Sequence, residues 1–340
     1  MATIKDVAKL AGVGVGTVSR VLSGKGSVSA KTLLKVNNAM KALNYKPNRS
    51  ARSLKSKKFN TIGIWGTDTS GELERKTLRD IEQQLKPYDV HCIITNGDLN
   101  TPSNPNAAKE SVELLIDKGC DGIIIWGSDI DLTELDILQI ATDFPNIILL
   151  NNKVDLISDK CIYYDHHQAG FIAGQYLIDH GHRNIACITG WLRTADAIQR
   201  HQGFLDVLNN NNISIPAELI FNGDYTFSGG YRGAKHLLKQ DHSFTALFCG
   251  NDQSAMSAIA ALSSAGYNVP DDISVLGYDD MNIASYTNPP LTTMHVPFNK
   301  MVVTATRQLL NLCYKTELSI DHDFPVQLIE RQSVNNINNK

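Results

Sequence analysis

From Asn60 onward the chain alternates short apolar runs with longer amphipathic stretches, and no other feature of the sequence restricts the fold as much. Thr61-Ile62-Gly63-Ile64-Trp65, His91-Cys92-Ile93-Ile94, 122–126 and 147–150 read as strands. Helices over 73–85, 107–118 and about 132–142 lie between them. The pattern then repeats as helix 168–180, strand 185–189, helix 196–210, strand 218–221, helix 228–240, strand 246–248, helix 252–265 and strand 273–276. Strands that are apolar almost throughout are buried on both faces, which means parallel sheets covered by helices on either side. Two such series of similar length predict two α/β lobes with a cleft between them. Ligands in such folds sit outside the carboxyl ends of the strands.

The first sixty residues follow different rules. Thr3 with Asp6 three positions on forms a capping-box-like start to a helix that places Ile4, Val7, Ala8 and Ala11 on one face. Gly12-Val13-Gly14 breaks it. Thr17, Val18, Val21 and Leu22 restart the period, with Val18, Val21 and Leu22 turned inward and Ser19 and Arg20 outward. This is the layout of a helix-turn-helix, whose second helix enters the DNA major groove. Ser29 caps a third helix carrying Leu33, Val36, Met40 and Leu43, which closes a small headpiece.

Two short helices around a glycine occur in many proteins, so charge is what separates the readings. Residues 1–60 hold thirteen Lys or Arg against one acid, Asp6, while the remaining chain holds nineteen against thirty-four. The overall charge of −3 hides this split. A basic head on an acidic body is the electrostatic footprint of nucleic-acid binding. The glycines Gly12, Gly14 and Gly16 are not a nucleotide loop, because they follow a helix and lack the spacing.

The remaining composition narrows the class. The six cysteines are scattered and fit reduced, mostly buried thiols; neither they nor the histidines have metal spacing, so no metal and no cofactor is expected. No apolar run reaches the ~20 residues that span a bilayer, and Thr, Asp and Lys occupy the place of a signal-peptide core, so no membrane partner and a cytoplasmic location are expected. No nucleophile elbow or Ser/His/Asp arrangement is evident, which argues against an enzyme.

The motif T-I-K-D-V-A-x-x-A-G-V-x-x-x-T-V-S-R-V-L from Thr3 to Leu22 resembles the headpiece of the LacI/GalR family of bacterial transcriptional regulators. The likeness resumes at Asn44-Tyr45-Lys46-Pro47-Asn48, Gly181 to Ala186, Arg200-x-x-Gly203-Phe204, Asn251-Asp252, Ile273 to Asp280 and Pro290 to Thr293. The second half looks closer to GalR- and AscG-like members than to purine-binding ones. The resemblance implies a helix-turn-helix headpiece at 1–46, a hinge helix or linker at 47–59, and a periplasmic-binding-protein-like core at 60–333. Its N-lobe would be about 60–160 plus 291–320, and its C-lobe about 161–290 plus 321–333. It also implies a homodimer. The Asn-rich end, 334–340, reads as disordered, and without a leucine-heptad tail a tetramer built by a C-terminal bundle is not expected.

For DNA, the resemblance places specificity at Val15 and Gly16, followed by Thr17 and Arg20. Arg20 suits a guanine edge and Val15 a thymine methyl, while Thr17 and Ser19 suit phosphates; Thr3 joins this DNA-facing set. Gly14 stands where relatives usually have a serine cap. Arg49-Ser50-Ala51-Arg52 onward reads as a basic linker or, with Asn48 as cap and Ala51 and Leu54 on one side, as a short helix that folds on binding. Leu54 matches the family's minor-groove wedge. For the effector, Arg200, Asn251 and Asp279 match cleft positions, and their donors and acceptors suit vicinal hydroxyls of a sugar. Trp126 and Tyr225, with Trp65, are candidate stacking residues or core. Asp165, Asn151 and Ser70 complete the set. The segment Gly66 to Gly71 departs from the family's proline-containing loop with two Phe.

The function expected is an operator-binding repressor of a sugar-utilisation operon, released by a mono- or disaccharide or its phosphate. A sugar-binding module with non-specific nucleic-acid affinity, or a relative using a non-sugar corepressor, are the other readings.

Overall fold

Three helices make the first unit: α1 (Ile4–Ala11), α2 (Val15–Ser23) and α3 (Ala30–Ala42). Thr3 and Asp6 form the expected capping box, the Asp6 amide donating to Thr3 Oγ1 and the Thr3 amide donating to Asp6 Oδ2 at 2.8 Å. Gly12 ends α1 in the left-handed region, φ 65°, where a side chain would be strained. Ser29 caps α3 by accepting from the Thr32 amide. The core is Val7, Ala8, Ala11, Val18, Val36 and Ala39. Leu33, expected inside, is 43% exposed, and the smaller Ala39 occupies the interior of α3 instead.

The computed structural model describes residues 2–23, 28–45, 58–66, 71–96, 107–126 and 134–338. The chain forms two compact units, 1–59 and 60–340. The expected hinge residues Asn48, Arg49, Ala51 and Leu54, and the effector candidate Ser70, lie outside the described residues.

The second unit contains two parallel sheets, as the apolar strands required. One has the order β2-β1-β3-β4-β5, with β1 (Thr61–Gly66), β2 (His91–Asn96), β3 (Gly122–Trp126), β4 (Ile147–Leu150) and β5 (Cys161–Ile162). Helices α4 (Glu72–Leu85), α5 (Ala107–Asp117) and α6 (Glu134–Asp143) connect its strands. The other has the order β11-β10-β9-β8-β6-β7, with β6 (Ile185–Ile188), β7 (Ile220–Phe221), β8 (Ala246–Cys249), β9 (Ser274–Asp279), β10 (Thr292–His295) and β11 (Gln327–Ile329). Only β11, paired with β10, runs antiparallel there. Helices α7 (His166–Asp179), α8 (Ala195–Asn210), α9 (Phe227–Leu237) and α10 (Asp252–Ser264) cover it.

The chain exchanges lobes at places shifted from those expected. Cys161 and Ile162 pair with β4, so β5 belongs to the N-lobe. Thr292–His295 pairs with β9, so this strand is C-lobe, and the chain crosses only after it. The helix that follows, α11 (Phe298–Tyr314), returns to the N-lobe. There Asn299 donates to Asp80 and the Tyr314 hydroxyl donates to Asp121 at 2.7 Å.

The end of the chain is not loose up to Asn338. His182 Nε2 donates to the Asn335 carbonyl at 3.1 Å, and the Ile337 amide donates to the His180 carbonyl at 2.9 Å. Asn338 Nδ2 donates to the Asp179 carbonyl at 2.7 Å. The polar composition that reads as disorder is here a set of backbone-matching amides. No described helix is long and apolar enough to cross a membrane.

Candidate functional site

In the head, α2 begins at Val15 because Gly14 contributes its carbonyl, which accepts from the Thr17 amide at 2.8 Å and from the Val18 amide at 3.2 Å. Val18 is fully buried and holds the helix down on α1. That leaves Val15, Gly16 and Arg20 exposed, with Thr17 and Ser19 half-buried along the same helix. Val15 is 42% exposed, so its side chain is open to contact from solvent. Thr3, placed with the DNA-facing residues, spends its hydroxyl on Asp6 at 2.8 Å and is exposed beside α1.

In the core, Arg200 projects from the second turn of α8 and is only 5% exposed. Its Nη1 donates to the Gly250 carbonyl at 2.5 Å and to the Tyr225 hydroxyl at 3.3 Å. Its Nη2 reaches the Tyr164 hydroxyl at 3.5 Å and lies 3.5 Å from Asp196 one turn earlier. The guanidinium also lies 3.8 Å from the centre of the Tyr278 ring. The Tyr225 hydroxyl donates to Asp196 at 3.2 Å and so closes the ring of contacts. Only Nε of Arg200 is left without a partner. The side chain expected to receive an effector therefore clamps four elements of the C-lobe wall to one another.

Asn251 is likewise held by the scaffold. It caps α10 by accepting from the Ser254 amide at 3.0 Å, and its Nδ2 donates to the Tyr225 carbonyl at 2.9 Å. Both ends of its amide hold the scaffold. Tyr225 has a left-handed backbone at φ 63°, and that bond holds its carbonyl. Asp165 is exposed and caps α7 through the Gln168 amide at 2.8 Å. Asn151, also left-handed at φ 62°, buries an Oδ1 that has no partner. Trp126 is 7% exposed at the end of β3, its ring 5.8 Å from that of Phe298.

A cavity of about 270 Å³ opens between the lobes at the strand ends. Leu73 and Thr77 of α4 form one wall, Asp279 and Asp280 at the end of β9 the other, and Val296 and Phe298 the floor. Of the effector candidates among the described residues, only Asp279 lines it. Asp279 sits at φ 103°, and Asp280 follows at φ 54°. Burial pushes the Asp279 carboxyl well above the ordinary carboxylate range; Arg200 opposes the rise, and Asp252, Glu74 and Asp196 add to it.

Two residues that shape this loop, Asp252 and Asp280, were not among the site residues expected from the sequence. Asp252, fully buried at the start of α10, accepts from Thr293 Oγ1 at 2.6 Å and from the Met281 amide at 2.7 Å, and burial raises its carboxyl to about 7. Asp280 is held by Arg331 at 2.6 Å and by His295 at 3.0 Å. These pairs join residues up to 51 positions apart. Only the dipeptide Asn251-Asp252 hinted at the first. His166 is 5% exposed against the Tyr164 ring, and burial lowers its imidazole to about 4, so it is neutral in the fold. No group of three or more metal-ligating side chains occurs among the described residues.

A basic helix-turn-helix ahead of a two-lobed α/β core with a cavity between the lobes defines a DNA-binding transcription regulator with a separate binding core. A model for bacterial regulatory proteins of the lacI family matches residues 3–48, and one for a periplasmic binding protein-like domain matches 175–334. The HTH-type transcriptional repressor PurR of Histophilus somni (strain 129Pt) is 35% identical over 344 residues, covering 98% of this chain and 99% of its own length. The crystal structure of the lac repressor dimer bound to operator and the anti-inducer ONPF has a TM-score of 0.86 at 30% identity, over 98% of this chain and 99% of that one. The Escherichia coli repressor AscG gives 0.72 at 29% identity, over 81% and 99%. The chain belongs to the lacI family of bacterial regulatory proteins. The PurR relative is not named for a sugar, so family membership does not give the effector's class.

Proposed function

We infer that this protein is a cytoplasmic, homodimeric repressor that binds a palindromic operator and is controlled by a small sugar held between its core lobes. The observation that carries the reading is the pairing of two features in one chain. One is an exposed Val15-Gly16-Arg20 surface on a basic head. The other is a cavity with an apolar floor and polar side chains on its walls, at the strand ends of a core that the chain crosses repeatedly. The relatives support it: one is named a transcriptional repressor, and another was solved as a dimer on operator with an anti-inducer. Arg20 reads a guanine edge, and Val15 packs on a thymine methyl. A ligand that binds one lobe arrangement better than the other shifts the dimer toward or away from the DNA-binding state, by no more than that difference in affinity.

The sugar reading rests on chemistry. Asp279, Asp280, Asn282, His295 and Asn299 crowd hydrogen-bonding groups around one apolar floor, as a polyol requires. The test is selection of bound sequences from a random duplex pool, repeated with monosaccharides, disaccharides and nucleobases. A palindrome lost on adding one sugar is the expected result. A motif that only a nucleobase strengthens or releases overturns the sugar assignment. Binding without any motif, falling steeply with salt, overturns the operator reading and leaves a sugar-binding module with non-specific affinity.

A further inference from the structure

The places where the chain passes between lobes are where a two-lobed core bends, and this inference rests on the reading that lobe arrangement controls DNA binding. Each crossing carries one side chain gripped by the N-lobe and one gripped by the C-lobe. In the second crossing, His295 pairs with Asp280 at 3.0 Å on the C-lobe side, and the Phe298 ring lies 5.8 Å from that of Trp126 on the N-lobe side. In the third, Lys300 of α11 lies 5.8 Å from the Phe324 ring, and Gln327 pairs with His295 in the C-lobe sheet. In both, two residues separate the grips, and one of them is a proline: Val296-Pro297 and Pro325-Val326. Those spacers can absorb a change of lobe angle, as hinge residues do.

The first crossing, which follows β5, has no spacer. Tyr163 packs on the N-lobe core, and Lys153 Nζ lies 5.6 Å from the centre of its ring. Tyr164, the next residue, is 6% exposed and is gripped by the other lobe. Its hydroxyl accepts from the Tyr278 hydroxyl at 3.1 Å and from Arg200 Nη2 at 3.5 Å. Its ring lies 4.0 Å from that of His166, at the start of α7. Tyr278 is fully buried in β9, so removing the Tyr164 oxygen takes away the acceptor of a hydroxyl that water does not reach. Arg200 Nη2 keeps its contact with Asp196 at 3.5 Å.

We propose that Tyr164 is a positioning residue for lobe movement: its hydroxyl ties the first crossing to Tyr278 and Arg200 and so confines the pivot there to the single link between Tyr163 and Tyr164. With the tie in place, a change of lobe angle is taken up at that link and in the two proline-containing spacers. Without it, the bend spreads into Tyr164 and Asp165, and Asp165 is the cap of α7. The tie therefore acts on how firmly the lobes move as units, through Tyr278 and Arg200.

The experiment is amide hydrogen exchange of the full-length protein, read in peptides that cover the three crossings and in peptides from the sheets. The variants are Tyr164→Phe, Tyr278→Phe, the two combined, and Tyr176→Phe. Tyr176 is the control, because its buried hydroxyl has no hydrogen-bond partner among the described residues. Tyr164→Phe is expected to speed exchange at the first crossing by about threefold or more while the strands exchange as in the parent. The double variant is expected to match Tyr164→Phe, since both changes remove the same bond. Tyr176→Phe leaves the crossings unchanged. Unaltered exchange at the first crossing overturns the proposal, and so does a uniform rise across the core, which is loss of stability alone. Single effects that multiply in the double variant overturn it too. The same proteins are then titrated with the operator duplex recovered by selection, where a shift of about threefold or more accompanies the loosened crossing. A loosened crossing with unchanged operator affinity upholds the role of Tyr164 and overturns the reading that lobe arrangement controls DNA binding.

Discussion

Replacing Arg200 by alanine asks whether this guanidinium holds the C-lobe wall together or waits for a ligand. The side chain is 5% exposed, and in its ion pair Arg200 and Asp196 are 7% and 11% exposed. At that depth solvent screens little. Removing one partner of a buried, hydrogen-bonded ion pair costs about 3–5 kcal/mol, because the other charge is left uncompensated. Here the Tyr225 hydroxyl still donates to Asp196, which places the loss near the lower end, about 3 kcal/mol. The Gly250 carbonyl loses its bond to Nη1 as well. Against the ~5–15 kcal/mol of a typical domain, this is a large share.

The assay is urea unfolding of the full-length protein with no ligand added, following the transition of the core. Arg200→Ala should lose about 3 kcal/mol. Adding Asp196→Asn to it should return part of that loss, since the buried carboxylate that had lost the Arg200 charge is then neutral. A single variant within about 1 kcal/mol of the parent and defective only in effector response would refute the clamp. Arg200 would then be a ligand donor, as its position in the sequence suggests.

Three further outcomes follow from the same geometry. Arg20→Ala should lose about 1–3 kcal/mol of discrimination at one operator base pair while leaving thermal stability unchanged; unchanged sequence preference in a selection experiment would exclude α2 as the reading helix. Gly203→Ala places a methyl 1.9 Å from the His167 carbonyl oxygen, where α7 and α8 touch. It should cost about 1–3 kcal/mol through overpacking, and an unshifted Tm would show that the helices are not in backbone contact. Asp252, raised to about 7 in the fold from 3.8, favours the folded state while protonated, and that contribution is lost as pH rises through about 7. The parent should therefore lose stability relative to Asp252→Asn between about pH 5 and about pH 8. The difference between the two proteins is the quantity to measure, since His166, lowered to about 4, gives the opposite trend in both; a flat difference would mean that Asp252 ionises normally.

Local rules were legible in the sequence wherever a residue answers to its neighbours. The Thr3–Asp6 box, the Ser29 cap and the apolar strands of both sheets are of this kind. The long helix α11 escaped notice because Val302, Val303, Thr304 and Thr306 blur its period and β10 runs into it almost directly. The two-residue strand β5 is shorter than any pattern can register, so only its pairing with β4 defines it. The docked tail depends on His182, more than 150 residues earlier in the chain. The site shows the same limit. Asn251 and Asp165 have the right residue types for a ligand, yet a helix start needs them first. Arg200 is surrounded by Tyr164, Tyr225 and Tyr278, which are scattered through the chain and whose convergence is entirely tertiary.

The residues that line the cavity also mark where the chain passes between lobes. His295 ends the last C-lobe strand before the crossing, Val296 and Pro297 make it, and Phe298 begins the N-lobe helix. Asp280 ties His295 to Arg331, two residues beyond β11. A ligand against Asp279 and Phe298 thus touches the crossing itself, where a small change in lobe angle moves both walls. The N-lobe wall, with Leu73 and Thr77 on α4, and the C-lobe wall, with Asp279 at the end of β9, pack on different sheets, so a change in lobe angle alters their separation. A molecule that touches both walls would favour the lobe arrangement that lets it do so, whereas no tightness of binding to one wall alone shifts the equilibrium.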